Sequence, residues 1–213
     1  MLSQPLIWTF FALGVTIIIF TLYLKARKSS GEQDDIYRGF LDSEHDANFS
    51  RKKDPVPEDY LMVDPHIFPI RDYPDDPAYA RVIARQNNAL EISRLPMICN
   101  VRGLNNRELK LKYGTANLDT IVTYEENYNR FIHNLLEWST ALTALGNTTD
   151  AATVLKIAIK YHCDRSQAYT ILADLISDPI MLLELREKAE SILTGAVAER
   201  TLAHIDIRMD EIK

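Results

Sequence analysis

Three neighbouring residues, His162, Cys163 and Asp164, carry the side-chain types of a nucleophilic hydrolase. In such an enzyme a cysteine attacks, a histidine takes its proton, and an acid orients the histidine. Consecutive residues at a helix end point in different directions, so these three cannot form that relay without distortion. A cysteine in the core and an aspartate that caps the next helix explain them better.

The sequence contains no motif for binding a metal or a cofactor either. The spacing of the five histidines is not that of metal ligands. The histidines are His45, His66, His133, His162 and His204. Neither GxxxxGK[ST] nor GxGxxG occurs in the chain. The sequence therefore predicts no catalytic residue, no cofactor-binding residue, no metal site and no cofactor, and the chain is not expected to be an enzyme.

The composition favours one helical domain with extra segments. The chain has 213 residues, a formal net charge of −6 and only seven glycines. The acidic balance disfavours a nucleic-acid partner, and the low glycine content disfavours a loop-rich all-β fold. Cys99 and Cys163 have no framework spacing, so two buried reduced thiols are the simpler interpretation; a disulfide would need an oxidising compartment.

An apolar segment near the N-terminus predicts a membrane anchor. Residues 5–24 contain no charged side chain, and twenty helical residues span about 30 Å, the thickness of a bilayer core. A cleaved signal peptide is the rival interpretation, but it has a shorter apolar run and a basic start. Lys25, Arg27 and Lys28 follow the span, so the positive-inside rule places residues 1–4 outside and the bulk of the chain in the cytoplasm. The sequence thus predicts a single-pass protein of the cell membrane, with the lipid bilayer contacted through residues 5–24.

The segment 25–77 predicts a basic flank followed by a linker with two halves. Residues 29–54 are polar and of mixed charge, which is typical of a flexible spacer. Residues 55–77 contain six of the nine prolines, which predicts an extended arm. Apolar side chains lie between these prolines, so three alternatives are open: the arm packs along the helical domain, it is a short linear segment that a partner binds, or it is disordered without a role.

Residues 78–213 predict a domain of antiparallel helices. Asp76 and Pro77 open the first, Asn105 begins a short second one that Gly114 ends, and a long helix runs from about 118 to Gly146. Thr149 or Asp150 is expected to cap the next helix. Further apolar stripes predict three more helices, at about 166–177, 180–194 and 196–213.

Residues 132–165 resemble a tetratricopeptide repeat (TPR), a helical hairpin with a period of 34 residues. The large and small positions of its first helix match Leu135, Trp138, Ser139 and Leu142, and those of its second match Ala151, Leu155 and Ala158. Residues 166–199 form a partial second unit, in which Tyr169, Leu172, Ala173 and Ile176 match the first helix but the second helix departs. The resemblance covers about 65 residues. It implies an all-α, TPR-like short α-solenoid, in which small side chains let neighbouring helices approach closely.

The resemblance also implies a concave partner-binding face. It would be lined by His133, Leu136, Thr140, Thr143, Gln167, Thr170, Asp174 and Ser177. This face contains no lysine or arginine, so it lacks the basic clamp with which some such repeats hold a peptide's terminal carboxylate. Repeat stacks usually need three units, so the flanking helices are expected to cap the stack, or the domain to self-associate.

The sequence therefore predicts a membrane-anchored scaffold or adaptor with a cytoplasmic TPR-like domain that binds protein partners. The alternative is an accessory or regulatory subunit of a membrane enzyme or transporter complex, whose transmembrane helix packs against a larger partner.

Overall fold

The computed structural model describes residues 20, 21, 25, 35–97, 101 and 103–212. Within these residues every regular element is helical and no β-strand occurs, so the prediction of an all-α fold is confirmed. None of the helices in the described ranges has the length and apolar character needed to cross a bilayer. The span predicted at 5–24 lies outside the described residues, except for Phe20 and Thr21. Residues 1–4 and Cys99 also lie outside them.

The described ranges 35–97 and 103–212 contain eight α-helices, numbered in chain order. They are α1 (residues 35–48), α2 (Ala80–Ile92), α3 (Asn106–Tyr113), α4 (Leu118–Ala144), α5 (Thr148–Lys160), α6 (Ser166–Leu175), α7 (Pro179–Ile192) and α8 (Gly195–Ile212). The chain divides into two compact units. The first contains α1 and α3 (Met1–Lys52 and Asn105–Ala116), and the second contains the other six helices (Lys53–Leu104 and Asn117–Lys213).

In the first unit, α1 occupies residues 35–48, for which the sequence predicted a flexible spacer. Ile36 and Phe40, and Tyr37 and Leu41, are spaced four residues apart and make one apolar stripe along this helix. All four of these side chains are at least 46% exposed. The stripe is short and lies among charged residues, which is why the polar composition concealed it.

The short helix α3 begins and ends where the sequence predicted. Asn105 accepts a hydrogen bond from the Glu108 amide at 3.0 Å, and the Glu108 carboxylate accepts one from the Asn105 amide at 2.8 Å. This reciprocal capping box satisfies two amides that the helix leaves free. At the other end Gly114 has φ +79°, and its amide donates to Lys110 O. Lys110 Nζ in turn donates to Asn48 Oδ1 at 2.6 Å, which ties α3 to the end of α1.

The second unit is built around the hairpin of α4 and α5. Asn147, rather than Thr149 or Asp150, caps α5, because its side chain accepts the Asp150 amide at 3.2 Å. Gly146 makes the turn before it with φ +77°. The small residues expected between the helices are all fully buried, namely Ser139, Ala151, Ala158 and Ala173. Their burial agrees with the prediction that small side chains lie where the helices meet.

Further helices cover both sides of this hairpin. Helix α2 packs on α4, α6 packs on α5, and α8 packs on both α6 and α7. Asp178 caps α7 by accepting the Ile180 amide at 2.9 Å, with Pro179 in the first turn. In α8 Ile205 is fully buried, and Leu202 and Met209 pack against the core in part.

The proline-rich arm packs on the helical hairpin of this unit, as the first of the three alternatives for residues 55–77 predicted. Phe68 is 6% exposed, with its ring centroid 6.0 Å from that of Trp138 and 6.2 Å from that of Phe131. Leu61, which is half-buried, donates its amide to Met97 O at 2.8 Å. The Asp64 amide donates a hydrogen bond to the hydroxyl oxygen of Tyr161, at the end of α5, at 3.4 Å.

A bidentate ion pair fixes the arm at the other end of α5. Arg71 Nε and Nη2 donate to the two carboxylate oxygens of Asp150 at 2.7 and 2.9 Å. The Asp150 side chain is 4% exposed and that of Arg71 is 58% exposed. Gln86 of α2 also exchanges two hydrogen bonds with the Arg71 backbone, each 3.0 Å long. The hydrogen bonds from Arg71 lower the pKa of Asp150 against the opposing effect of burial, and Asn147 lowers it further.

This ion pair predicts a stability difference that depends on pH. Stability supplied by ionised Asp150 is complete above the unfolded-state pKa of about 3.9 and is lost as the pH falls through the lower folded-state pKa. We expect Asp150→Asn to lower the free energy of unfolding by about 1–2 kcal/mol at pH 7. The difference from wild type should shrink as the pH falls below about 4. Urea unfolding of the full chain at a series of pH values measures it.

The exposed acid Glu126 on α4 provides the control, because Glu126→Gln should change the free energy of unfolding little at any pH. A difference between wild type and Asp150→Asn that stayed constant down to pH 3 would show that the ionised carboxylate does not hold the arm.

Candidate functional site

The α4 half of the predicted concave face is only partly open. His133 and Thr143 are exposed and Thr140 is half-buried, but Leu136 is 3% exposed. Leu136 therefore does not offer a contact surface to a partner. The reason is that α2 and the arm pack on α4 in addition to α5, which leaves less of α4 open than a two-helix hairpin would.

The α6 half of the face is shared with α8. Gln167 and Ser177 are exposed and Thr170 is half-buried. Asp174 Oδ1 lies 2.9 Å from His204 Nε2 and 3.6 Å from Arg208 Nε, both on α8. The face predicted to lack arginine therefore has one beside it. This Arg208 is already paired with Asp174 and Glu211, so it does not form a basic clamp.

The His162–Cys163–Asp164 segment follows the end of α5, and the N-cap of the next helix is Arg165 rather than Asp164. The Cys163 amide donates to Ala158 O and the His162 amide to Ile159 O, each at 3.0 Å. These two bonds, with His162 in the left-handed region at φ 60°, are the Schellman pattern that closes a helix. Cys163 is fully buried and His162 is exposed, so the two side chains lie on opposite sides of the chain. Among the described residues no cluster of three potential metal ligands occurs.

An open groove lies on another side of this unit, between α5 and α7 with α6 beneath. Its volume is about 440 Å³, which falls within the range of ligand-binding clefts. Its apolar surface comes from all three helices, namely from Ile159, Leu172, Ile176, Met181, Leu185 and Ile192. Sequence reasoning described α7 only as the part of residues 166–199 that departs from the repeat, and so it missed the groove.

The groove runs along α7. Along α7 it extends from Met181 through Leu185 and Lys188 to Ile192, which is three turns of helix, or about 16 Å. Ile159, Leu172 and Leu185 are at most 7% exposed and form the floor, whereas Met181 and Ile192 are half-buried. A ligand would therefore bury the half-buried side chains fully and contact the floor from above.

The edges of the groove are mainly basic. Lys156 and Lys160 line it from α5, and Lys188 lines it from α7. All three lysines are exposed, and Lys160 Nζ also lies 5.6 Å from the centroid of the Tyr161 ring. Glu184 is the only acidic residue lining the groove. In a chain with a net charge of −6, this concentration of lysines is a local exception and favours an anionic ligand.

The spacing of Lys156 and Lys160, four residues apart, and of Lys188 and Ile192, also four apart, is visible in the sequence. Nothing in the sequence shows that the two pairs meet across α6. Comparisons with protein-family models, with curated proteins and with solved structures found no match to this chain. The chemistry of the groove therefore carries the functional argument.

Proposed function

We propose that this chain is a single-pass membrane protein whose cytoplasmic, TPR-like helical domain binds other proteins and holds them at the bilayer. The observation that supports this most is the open, apolar groove between α5 and α7 with lysines on both edges. A concave site with an apolar floor and a few charged side chains at its edges is typical of a binding site. The antiparallel hairpins supply a rigid frame for it, and the predicted anchor at 5–24 supplies the location.

Tethering gives such a domain its effect. A partner that binds weakly in solution is held at a high effective concentration once both molecules are confined to the membrane. Neither reaction chemistry nor a cofactor is needed for this function. The exposed polar residues of α4 and α6 remain a second candidate surface, and self-association is compatible with the same architecture.

A second function, as an accessory subunit of a membrane complex, is favoured by α1. Its stripe of Ile36, Tyr37, Phe40 and Leu41 is exposed, with Ile36 at 73% and Tyr37 at 62%. The stripe begins about a dozen residues after the predicted span, so it lies near the membrane if that span is correct. A larger membrane partner could contact the span and this stripe together.

The two functions are separated by deleting residues 1–28. Cross-linked partners of the full chain are purified in mild detergent and compared quantitatively with those of the truncated chain. A scaffold is expected to retain its partners after the deletion, since the helical domain holds them. Loss of all partners on deletion would contradict the scaffold function and support the accessory subunit. Membrane extraction with carbonate tests the anchor separately, because a chain released by carbonate is not embedded.

A further inference from the structure

We infer that the groove between α5, α6 and α7 binds an acidic amphipathic helix of a partner protein. The apolar face of that helix would lie over Met181 and Ile192, and its carboxylates would lie against Lys156, Lys160 and Lys188. This inference rests on the proposed function as a protein-binding module and specifies the partner that one of its surfaces fits.

The secondary structure of the unit disfavours other modes of peptide binding. Strand addition needs the edge of a sheet, and no strand occurs in the described residues. Polyproline ligands dock on grooves lined by aromatic side chains, and no Phe, Tyr or Trp lines this one. Phosphopeptides are held by arginine clusters, and the basic residues here are lysines and a histidine. The mode that fits is a helix in a groove.

The length and surface of the groove agree with this mode. Three turns along α7 accommodate apolar anchors at positions i, i+3 or i+4, and i+7 of a bound helix. The half-buried side chains Met181 and Ile192 lie near the two ends of the groove, eleven residues apart. Methionine is unbranched and adapts to the shape of what packs on it.

The charges at the two edges determine which amphipathic helix fits. A helix lying between α5 and α7 would place its flanking residues beside lysines on both sides, with Lys156 and Lys160 on one edge and Lys188 on the other. Acidic residues at those flanking positions gain from the pairing, and basic ones are repelled. Glu184, near Met181, is an acidic residue among these basic ones. A neutral or basic residue of the partner helix fits better beside it.

The test uses the full chain in lipid nanodiscs and three designed peptides. Each peptide has about fifteen residues, because shorter isolated helices are only marginally stable in water. One has a leucine stripe flanked by glutamates, the second has lysines instead of glutamates, and the third has serines instead of leucines. Fluorescence anisotropy measures their binding. We expect the glutamate peptide to bind at least about tenfold more tightly than either of the others, and increasing salt to weaken its binding.

The variant Lys156→Glu/Lys188→Glu should bind the glutamate peptide at least about tenfold more weakly than the wild-type chain does. It should bind the lysine peptide more tightly than the wild-type chain does. Arg200→Glu changes an exposed charge on α8 away from the groove and should alter neither peptide's affinity. Circular dichroism establishes that both variants are folded. This reversal of preference is a result that a general loss of structure cannot produce.

Three results would overturn the inference. One is equal binding of the glutamate and lysine peptides to the wild-type chain. Another is binding of dodecanoate at the groove without binding of the glutamate peptide, which would make it a site for a lipid-like anion. The third is a wild-type dimer that the double variant dissociates, which would assign the groove to a second copy of the chain.

Failure of this inference differs from failure of the proposed function. If the chain lacking residues 1–28 retains its partners and the double variant also retains them, the scaffold function stands and the partners bind elsewhere. If partners are lost on deletion of residues 1–28, the scaffold function fails whatever the peptides do.

Discussion

Replacing Phe68 with alanine is expected to lower the free energy of unfolding of the helical unit by about 3–5 kcal/mol. Phe68 is the arm residue buried most completely against the hairpin, at 6% exposed, and its ring lies near those of Phe131 and Trp138. Truncation removes that buried area and leaves a cavity. The prolines on either side of Phe68 restrict the backbone, so the cavity does not close easily. The ring interactions are lost as well.

Urea unfolding followed by the fluorescence of Trp138 measures this effect. The only other tryptophan, Trp8, is replaced by phenylalanine in every variant so that the signal reports the helical unit alone. Met62→Ala is the control on the same arm, because the Met62 side chain is 82% exposed and its loss should cost less than about 0.5 kcal/mol. A Phe68→Ala chain as stable as Met62→Ala would mean that the arm does not stabilise the domain.

Local signals explain what the sequence predicted well. The ends of α3 follow from Asn105 and Gly114, and the end of α4 follows from Gly146, because capping and left-handed turns depend on a few adjacent residues. The burial of Ala158 and Ala173 follows from their positions in the apolar stripes. These features need no knowledge of the rest of the chain.

Long-range packing explains what the sequence left open or placed differently. The prolines of the arm predict an extended chain, but nothing adjacent to Phe68 indicates that it meets Trp138, which is 70 residues away. Leu136 was assigned to an open face because the resemblance considers only the hairpin, and the structure adds α2 and the arm to α4. Asp174 meets α8 for a similar reason.

The candidate site depends on the same kind of information. Lys156 of α5 and Lys188 of α7 are 32 residues apart in the chain, and only the packing of α6 on both of its neighbours brings them to one groove. Each lysine alone resembles any solvated charge on a helix. Their joint position around an apolar floor is what gives them a functional meaning.

Replacing Gly114 with alanine is expected to destabilise the first unit by about 2–4 kcal/mol. Gly114 has φ +79° and ψ 152°, a backbone conformation that is almost confined to glycine. A Cβ atom there would overlap the Arg51 carbonyl oxygen and would lie 2.8 Å from the Lys52 Cα. Both neighbours are backbone atoms, so the clash cannot be relieved by a side-chain rotation. We expect hydrogen exchange of the α3 amides in the full chain to accelerate accordingly.

Two other glycines separate the contributions to this cost. Gly146 has φ +77° but nothing within 4 Å of a built Cβ, so Gly146→Ala should show only the backbone cost, about 1 kcal/mol. Gly39 lies within α1, again with open space around it, and Gly39→Ala should stabilise that helix by up to about 1 kcal/mol. If Gly114→Ala cost no more than Gly146→Ala, the chain at Arg51 and Lys52 would not lie against the end of α3. The clash must open either the end of α3 or the segment at Arg51 and Lys52 that covers it. Wild-type protection of the amides of both segments in Gly114→Ala would therefore contradict the close approach.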